Sequence, residues 1–276
     1  MIPTFKLYNG VEVPAIGLGT FLAKDGEEVS RSVREAISVG YRSIDTAMIY
    51  LNETGVGKGM RESGIPRSEI YLTTKLWNDS HGYEETLRAF NESLKRLGTD
   101  YVDQYLMHWP GMDESFIPTW KAFEKLYNDG KIRVIGVCNF LKPTLKKLLD
   151  NCAIKPMVEQ IEIHPMFQPN DLIAFCQENE IQVEAWRPIV WGKVDKEPIV
   201  AAAEKYGKTP VQITLRWHYQ RRIRTVPKTT HKDRMIQNAD IFDFELSPEE
   251  MNAIKKLNTF VRTGESPDEF FETGGF

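Results

Sequence analysis

Four side chains in the first half of the sequence make up a proton-transfer set: Asp45, Tyr50, Lys75 and His108. A free phenol, with a pKa of about 10, gives up its proton poorly near neutrality. An ammonium within a few ångström favours the phenolate and would lower that value by roughly 1–3 units. An aspartate beside the lysine keeps the ammonium charged and in place, and a histidine can donate a hydrogen bond to a carbonyl oxygen. Brought together, the four would protonate an oxyanion as it forms at a carbonyl. Taken singly, each has an ordinary explanation: a capping Asp, a packing Tyr, a solvated Lys, and a core His ahead of Trp109-Pro110.

What must bring them together is a set of strand ends. Asp45, Lys75 and His108 close three short apolar runs, and Tyr50 sits on the turn after the first. The strand candidates are Ala15–Gly19, Arg42–Asp45, Ile70–Lys75, Val102–His108, Val134–Asn139, Val158–Ile163, Gln182–Trp186 and Thr225–Lys228. Their β-branched, non-alternating character is that of strands buried on both faces. Helical spacing separates them, as in Val29/Val33/Ile37, Leu87/Phe90/Leu94/Leu97 and Trp120/Phe123/Leu126. Gly40, Gly64, Gly98 and Gly130 follow such runs, and Thr209-Pro210 and Ser247-Pro248 read as N-caps with proline in the first turn. Strand–helix alternation of this kind predicts an α/β (β/α)₈ TIM barrel, one domain over residues 1–276, whose strand carboxyl ends share one mouth. An added N-terminal hairpin around Asn9-Gly10 predicts a type I′ turn, placed to cover the barrel's amino-terminal end. Extra helices are expected between the seventh and eighth strands, at Pro198–Tyr206 and Pro210–Gln220. The Gly-, Ser- and Pro-containing tail, Thr263–Phe276, reads as a flap or loose end. A doubly wound open sheet is the rival fold, but Gly17-Leu18-Gly19 lacks the third glycine of a phosphate turn.

At 276 residues and 41% hydrophobic content, the chain can bury a large core. A net charge of −4 gives no electrostatic reason to expect nucleic acid as a partner. No apolar run approaches a membrane span, and Met1–Lys6 holds no apolar signal core. Cys138, Cys152 and Cys176 stand at no metal-ligand spacing and read as reduced thiols of a cytoplasmic protein.

Gly40-Tyr41-Arg42-Ser43-Ile44-Asp45-Thr46-Ala47, followed by Ile49-Tyr50 and Asn52-Glu53, resembles the aldo-keto reductases. So do Thr74-Lys75-Leu76-Trp77, His108-Trp109-Pro110, Gly136-Val137-Cys138-Asn139-Phe140 and Val226-Pro227-Lys228, nearly end to end and in order. The nearest flavour is that of bacterial 2,5-diketo-D-gluconate and methylglyoxal (glyoxal) reductases. The resemblance implies a monomeric barrel holding NADPH across the mouth, with Tyr50 as general acid, Lys75 tuning it, Asp45 holding Lys75 and His108 orienting a small carbonyl substrate. It also implies cofactor contacts. Asn139 and Gln160 would meet the nicotinamide carboxamide and Trp186 would stack on the ring, while Lys228, Thr229, Arg234 and Asn238 would grip the adenosine end. Thr20, Arg187 and Ile189 complete that set. Thr230 would cap the next helix and present its N–H groups to a phosphate. The cations Lys228 and Arg234 suit a 2′-phosphate. Phe21, Trp77 and Trp109, with His108, would line the substrate slot, whose selectivity would depend on loops near Trp77, Met112 and the tail.

The chain departs from the family pattern at several points. Cys138 replaces a serine, and Glu159 replaces an asparagine, though strand neighbours face opposite ways. In Trp186-Arg187-Pro188-Ile189-Val190-Trp191-Gly192, Arg187 stands for a pyrophosphate-binding serine and Val190 for a glycine, with Trp191 large enough to overhang the pocket. Arg221, Arg222 and Arg224 precede the eighth strand and read as solvated charges at the far end of the barrel. A reductase of small aldehydes, ketones or α-dicarbonyls is the leading reading. A catalytically weak nucleotide-binding or regulatory module is the alternative, which the altered loop would favour. A sugar-phosphate enzyme would need a phosphate nest after strands seven and eight, where this sequence resembles a dinucleotide site.

Overall fold

Short β-branched strands that bury both faces leave no side for solvent, so each must be covered by a helix on one side and by its fellow strands on the other. The computed structural model, which describes residues 2–111 and 114–270, shows that arrangement. A hairpin, β1 (Thr4–Lys6) and β2 (Glu12–Pro14), precedes β3 (Leu18–Gly19), α1 (Glu27–Ser38), β4 (Ser43–Asp45), α2 (Glu53–Glu62), β5 (Tyr71–Leu76) and α3 (Tyr83–Leu97). Then follow β6 (Val102–Met107), α4 (Phe116–Asn128), β7 (Ile132–Cys138), α5 (Lys142–Leu149), β8 (Val158–Glu162), α6 (Asn170–Glu178) and β9 (Gln182–Trp186). The chain continues with α7 (Glu197–Tyr206), α8 (Pro210–Gln220), β10 (Arg224–Thr225), α9 (Lys232–Ala239) and α10 (Pro248–Lys255).

β3 to β10 form one eight-stranded sheet in sequence order, and every pairing is parallel. The first and last strands meet. Gly17 N donates to Thr225 O at 2.9 Å and Gly19 N to Pro227 O at 3.1 Å, with bridges Ile16–Thr225 and Gly19–Lys228. The ring is therefore closed, a (β/α)₈ barrel as the alternation predicted. Closure is tight at Gly19, where a Cβ would lie 2.6 Å from Val226 O. The terminal strands are shorter than expected because Pro227 brings no N–H to the ladder.

Both predicted proline-started helices form, and each carries a full capping box, Thr209 with Gln212 and Ser247 with Glu250. The hairpin turn differs from expectation. Leu7 N bonds Val11 O, Gly10 N bonds Leu7 O, and of the turn residues only Gly10 has positive φ (+85°). This is a three-residue loop with a left-handed glycine rather than a type I′ turn, which needs positive φ at Asn9 as well. Asn9 instead donates to Arg133 O at 3.0 Å, tying the hairpin to the start of β7. No helix among the described residues is long and apolar enough to cross a membrane.

Candidate active site

Asp45 is the last residue of β4, opposite Thr73, and Lys75 lies two residues further along β5 on the same face, within reach of it. Both are buried, with Lys75 Nζ 2.5 Å from Asp45 Oδ1 and donating to Thr46 O at 3.0 Å. Tyr50 stands on the 3₁₀ turn Met48–Tyr50, which ends at Leu51 in a left-handed conformation. Asn52 pins that turn, accepting from Thr46 Oγ1 at 2.8 Å and donating to Thr20 O and Ala23 O. Lys75 Nζ lies 5.1 Å from the centre of the Tyr50 ring. His108 follows β6, its ring 5.7 Å from that of Tyr50 and 5.3 Å from that of Trp77. The four groups expected at one mouth are together there.

Their electrostatics differ from the sequence expectation in one respect. Burial pushes the Tyr50 phenol up to about 12; the Lys75 ammonium pulls it back, and Asp45 opposes that pull. The lysine lowers the phenol's pKa relative to burial alone, not relative to water. Burial works against the Lys75 ammonium, but Asp45 and Tyr50 more than offset it, so its pKa stands above the ordinary value. Burial, then the Lys75 charge, holds His108 well below the usual histidine range. Near neutrality the site thus holds a protonated phenol, an ammonium and a neutral imidazole. A neutral imidazole has one N–H to donate and adds no charge against Lys75.

Asp45, Tyr50 and His108 open onto a cavity of about 1030 Å³, with Lys75 buried behind them. Thr20, Asn139, Gln160, Trp186, Arg187, Ile189, Lys228, Thr229, Thr230, Arg234 and Asn238 all line it, as do Phe21, Trp77 and Trp109. Several are already engaged. Asn139 donates to His108 O at 3.0 Å and accepts from Trp186 Nε1 at 2.9 Å, fixing the indole. Gln160 donates to Asp45 Oδ2 at 3.0 Å and to Glu184 Oε2 at 2.9 Å. Thr20 Oγ1 donates to Asp45 O. Lys228 and Arg234 are exposed and form no ion pair among the described residues. Thr230 does not cap α9: His231 is the N-cap, extended, without a side-chain bond to the helix, and Thr229 Oγ1 accepts from His231 N. The first N–H groups of α9 are left without a side-chain cap beside two unpaired cations, a donor set suited to phosphate.

The departures resolve individually. Glu159 faces away from Gln160, accepts from Phe140 N at 3.1 Å, is pushed well above the carboxylate range by burial, and does not line the cavity. Cys138 is a buried thiol on the cavity wall, raised well above its ordinary pKa by burial. Arg187 has φ +50°, lies 4.4 Å from the Trp191 ring centre and 5.4 Å from that of Trp186, and donates to Thr263 O at 2.5 Å. Trp191 edges the mouth and is 60% exposed. Arg224 is not a solvated charge. Its register partner on β9 is Glu184, both are fully buried, and their ion pair spans 2.7 Å inside the barrel.

Sequence reasoning missed the device that holds the tail. Glu162, buried at the end of β8, accepts from Thr263 N at 2.7 Å, Thr263 Oγ1 at 2.6 Å and Gly264 N, with His164 Nε2 at 3.2 Å. Strand alternation was the available signal, since residue 162 shares the inward face of Gln160. Beyond this staple, Phe270 stacks on Trp109 with ring centres 3.9 Å apart and meets Trp77 edge-on. The tail is thus a flap seated in the aromatic slot as far as residue 270. Met112 and the last six residues, 271–276, lie outside the described residues.

A sequence profile for the Aldo/keto reductase family matches residues 15–259. The chain is 52% identical over 267 residues to the glyoxal reductase of Bacillus subtilis (strain 168), covering 96% of each. It is 42% identical over 269 residues to the methylglyoxal reductase of Escherichia coli (strain K12), covering 96% of this chain and 97% of that one. A solved Bombyx mori aldo-keto reductase in complex with NADP matches with a TM-score of 0.90 at 36% identity, over 98% of this chain and 97% of that one.

Proposed function

This chain belongs to the aldo/keto reductase family, and from that premise we propose that Tyr50, Lys75, Asp45 and His108 are the groups with which it works. The protein is an NADPH-dependent oxidoreductase that reduces small carbonyl compounds to alcohols. We assign the cavity's rim to the cofactor and its aromatic slot to the carbonyl. The observation that carries the reading is Lys75 Nζ held by Asp45 at 2.5 Å beneath the Tyr50 ring, at the floor of that cavity.

NADPH, when bound, supplies the hydride. The residues do the rest. His108 donates its N–H to the carbonyl oxygen and sets its direction toward Tyr50. Tyr50 Oη gives its proton to that oxygen as negative charge builds there. Lys75 stabilises the phenolate left behind, and Asp45 keeps the ammonium in place. Trp77, Trp109 and Phe21 exclude water from the reacting carbonyl. Lys228 and Arg234 would hold a 2′-phosphate, and Trp186, fixed by Asn139, would stack on the nicotinamide. The complete proton-transfer set favours turnover over the regulatory-module reading, and the cationic rim at Lys228 and Arg234 favours a dinucleotide over a sugar phosphate.

Small α-dicarbonyls such as methylglyoxal are the proposed substrate class, by analogy with the relatives in Bacillus subtilis and Escherichia coli. We further propose that residues 1–276 work as one domain and as a monomer in the cytoplasm. The three cysteines, none of them in a disulfide, support that compartment. The test is loss of NADPH absorbance with methylglyoxal, repeated with NADH and with Arg234→Ala. The reading expects turnover, NADPH favoured by at least about tenfold, and that preference reduced in Arg234→Ala. Equal use of both cofactors before and after the change would refute the 2′-phosphate assignment.

A further inference from the structure

Below the mouth, the barrel interior is polar in a way the reaction does not require. Glu184, on β9 and fully buried, has one cation and two amides on its carboxylate oxygens. Arg224 Nη1 forms an ion pair with it at 2.7 Å, and Gln104 Nε2 donates to it at 3.1 and 3.2 Å and Gln160 Nε2 at 2.9 Å. The layer is locked from beneath. Tyr71 OH donates to Gln104 Oε1 at 2.7 Å, and Arg224 also donates to Pro14 O at 2.8 Å and Ser43 Oγ at 2.5 Å. Gln160 is its upper member. Its Nε2 lies between Glu184 Oε2 and Asp45 Oδ2, at 2.9 and 3.0 Å, so the two amide hydrogens have two carboxylate acceptors.

That arrangement settles which way the amide points. A carboxylate with a cation of its own, Arg224 for Glu184 and Lys75 for Asp45, can only accept. Between two such groups an amide must present nitrogen; oxygen would face two repulsions. Gln160 Oε1 is then left over: both of the side chain's hydrogen bonds among the described residues are made by Nε2, and the side chain lines the cavity. We propose that Glu184 is a positioning residue of the cofactor pocket: together with Asp45 it takes both hydrogens of the Gln160 amide and so fixes Gln160 Oε1 toward the mouth as an acceptor for the carboxamide N–H of a nicotinamide. Arg224 neutralises Glu184 and lets a second carboxylate lie near Asp45 without drawing on Lys75. Asp45 thereby both holds the ammonium and sets the amide, so one buried layer ties the proton donor's support to the cofactor's carboxamide. This inference rests on the NADPH reading.

The test is equilibrium binding, followed by quenching of tryptophan fluorescence. The ligands are NADPH and its reduced 3-acetylpyridine analogue, in which a methyl replaces the carboxamide nitrogen and its hydrogens. Wild-type protein should bind NADPH more tightly by about five- to tenfold, the size of one hydrogen bond. Arg224→Lys keeps a cation beside Glu184 but loses the guanidinium's bonds to Pro14 O and Ser43 Oγ; it should melt at lower temperature yet keep the discrimination. The double change Glu184→Met with Arg224→Met leaves no unpaired charge; it should recover thermal stability and lose the discrimination to within about twofold. Discrimination that follows melting temperature across the three proteins would show a merely structural role and overturn the proposal. So would a double variant that discriminates like wild type. Wild-type protein that binds both ligands equally overturns the acceptor role of Gln160 alone. Failure to bind either ligand overturns the NADPH reading itself.

Discussion

The two sides of the mouth are built on different terms. On the β4–β6 side, Asp45, Lys75 and the Asn52 that pins the turn are buried, and their polar groups are held by several partners each. On the β9 side, Arg187, Val190 and Trp191 all have positive φ (+50°, +45° and +54°), a conformation costly for a side chain and most so for a β-branched one. At roughly 1–3 kcal/mol per such residue, that loop stores strain. It is held by a stack of Arg187 between two indoles and one bond to the tail. The contrast teaches where precision is needed. Proton transfer depends on tenths of an ångström and rests on buried strand ends and a pinned turn, whereas the strained loop and the stapled tail at the cavity's rim have fewer ties.

The contrast can be broken from either side. Apart from loss of the phenol itself, the largest effect is expected at Lys75→Met, which removes the charge that stabilises the phenolate. Steady-state kinetics should show kcat/KM falling by roughly 10²–10⁴ with NADPH affinity kept. A fall of less than about tenfold would leave the rigid side without its assigned function. Asp45→Asn should cost stability as well as rate. It breaks a buried ion pair, and urea melts should show a loss of about 3–5 kcal/mol.

Acid should act through other groups. Burial holds His218 down at about 3 and His81 at about 4, both below the unfolded value. The unfolded chain therefore binds more protons between those values and about 6.5. Stability is complete above that pH and is lost as pH falls, by up to about 1.4 kcal/mol per unit for each histidine. His218→Asn should flatten the slope of melting temperature against pH. On the strained side the expected effect is the smallest. A Cβ at Gly264 would lie 2.4 Å from the Trp186 ring, so Gly264→Ala should lift the tail. KM for the carbonyl should shift by roughly two- to tenfold with kcat nearly kept. A collapse of kcat there would show that the two sides are not separable.

The sequence made some parts of this legible and not others, for physical reasons. Asp45, Lys75 and His108 were readable because a strand end is fixed by local apolar spacing, and parallel pairing then brings successive ends together. Glu162 and the Glu184–Arg224 pair were not. Alternation puts Glu162 on the inward face but does not show its partners on the tail some hundred residues away, while the Glu184–Arg224 pair depends on register between β9 and β10, which no local pattern contains, and Arg224 in a run of arginines looks like surface. The phenol's acidity was misjudged because sequence shows the neighbouring charge but not the burial that outweighs it. The hairpin turn type was misjudged because Asn9 spends its side chain on Arg133 O, a partner 124 positions away.

The central claim is that Tyr50 delivers the proton, and Tyr50→Phe tests it most directly. With saturating NADPH and methylglyoxal, a single-turnover absorbance trace should be flat, while titration of the same protein shows NADPH bound as tightly as by wild type. Reduction by the phenylalanine variant within about tenfold of the wild-type rate would contradict the account.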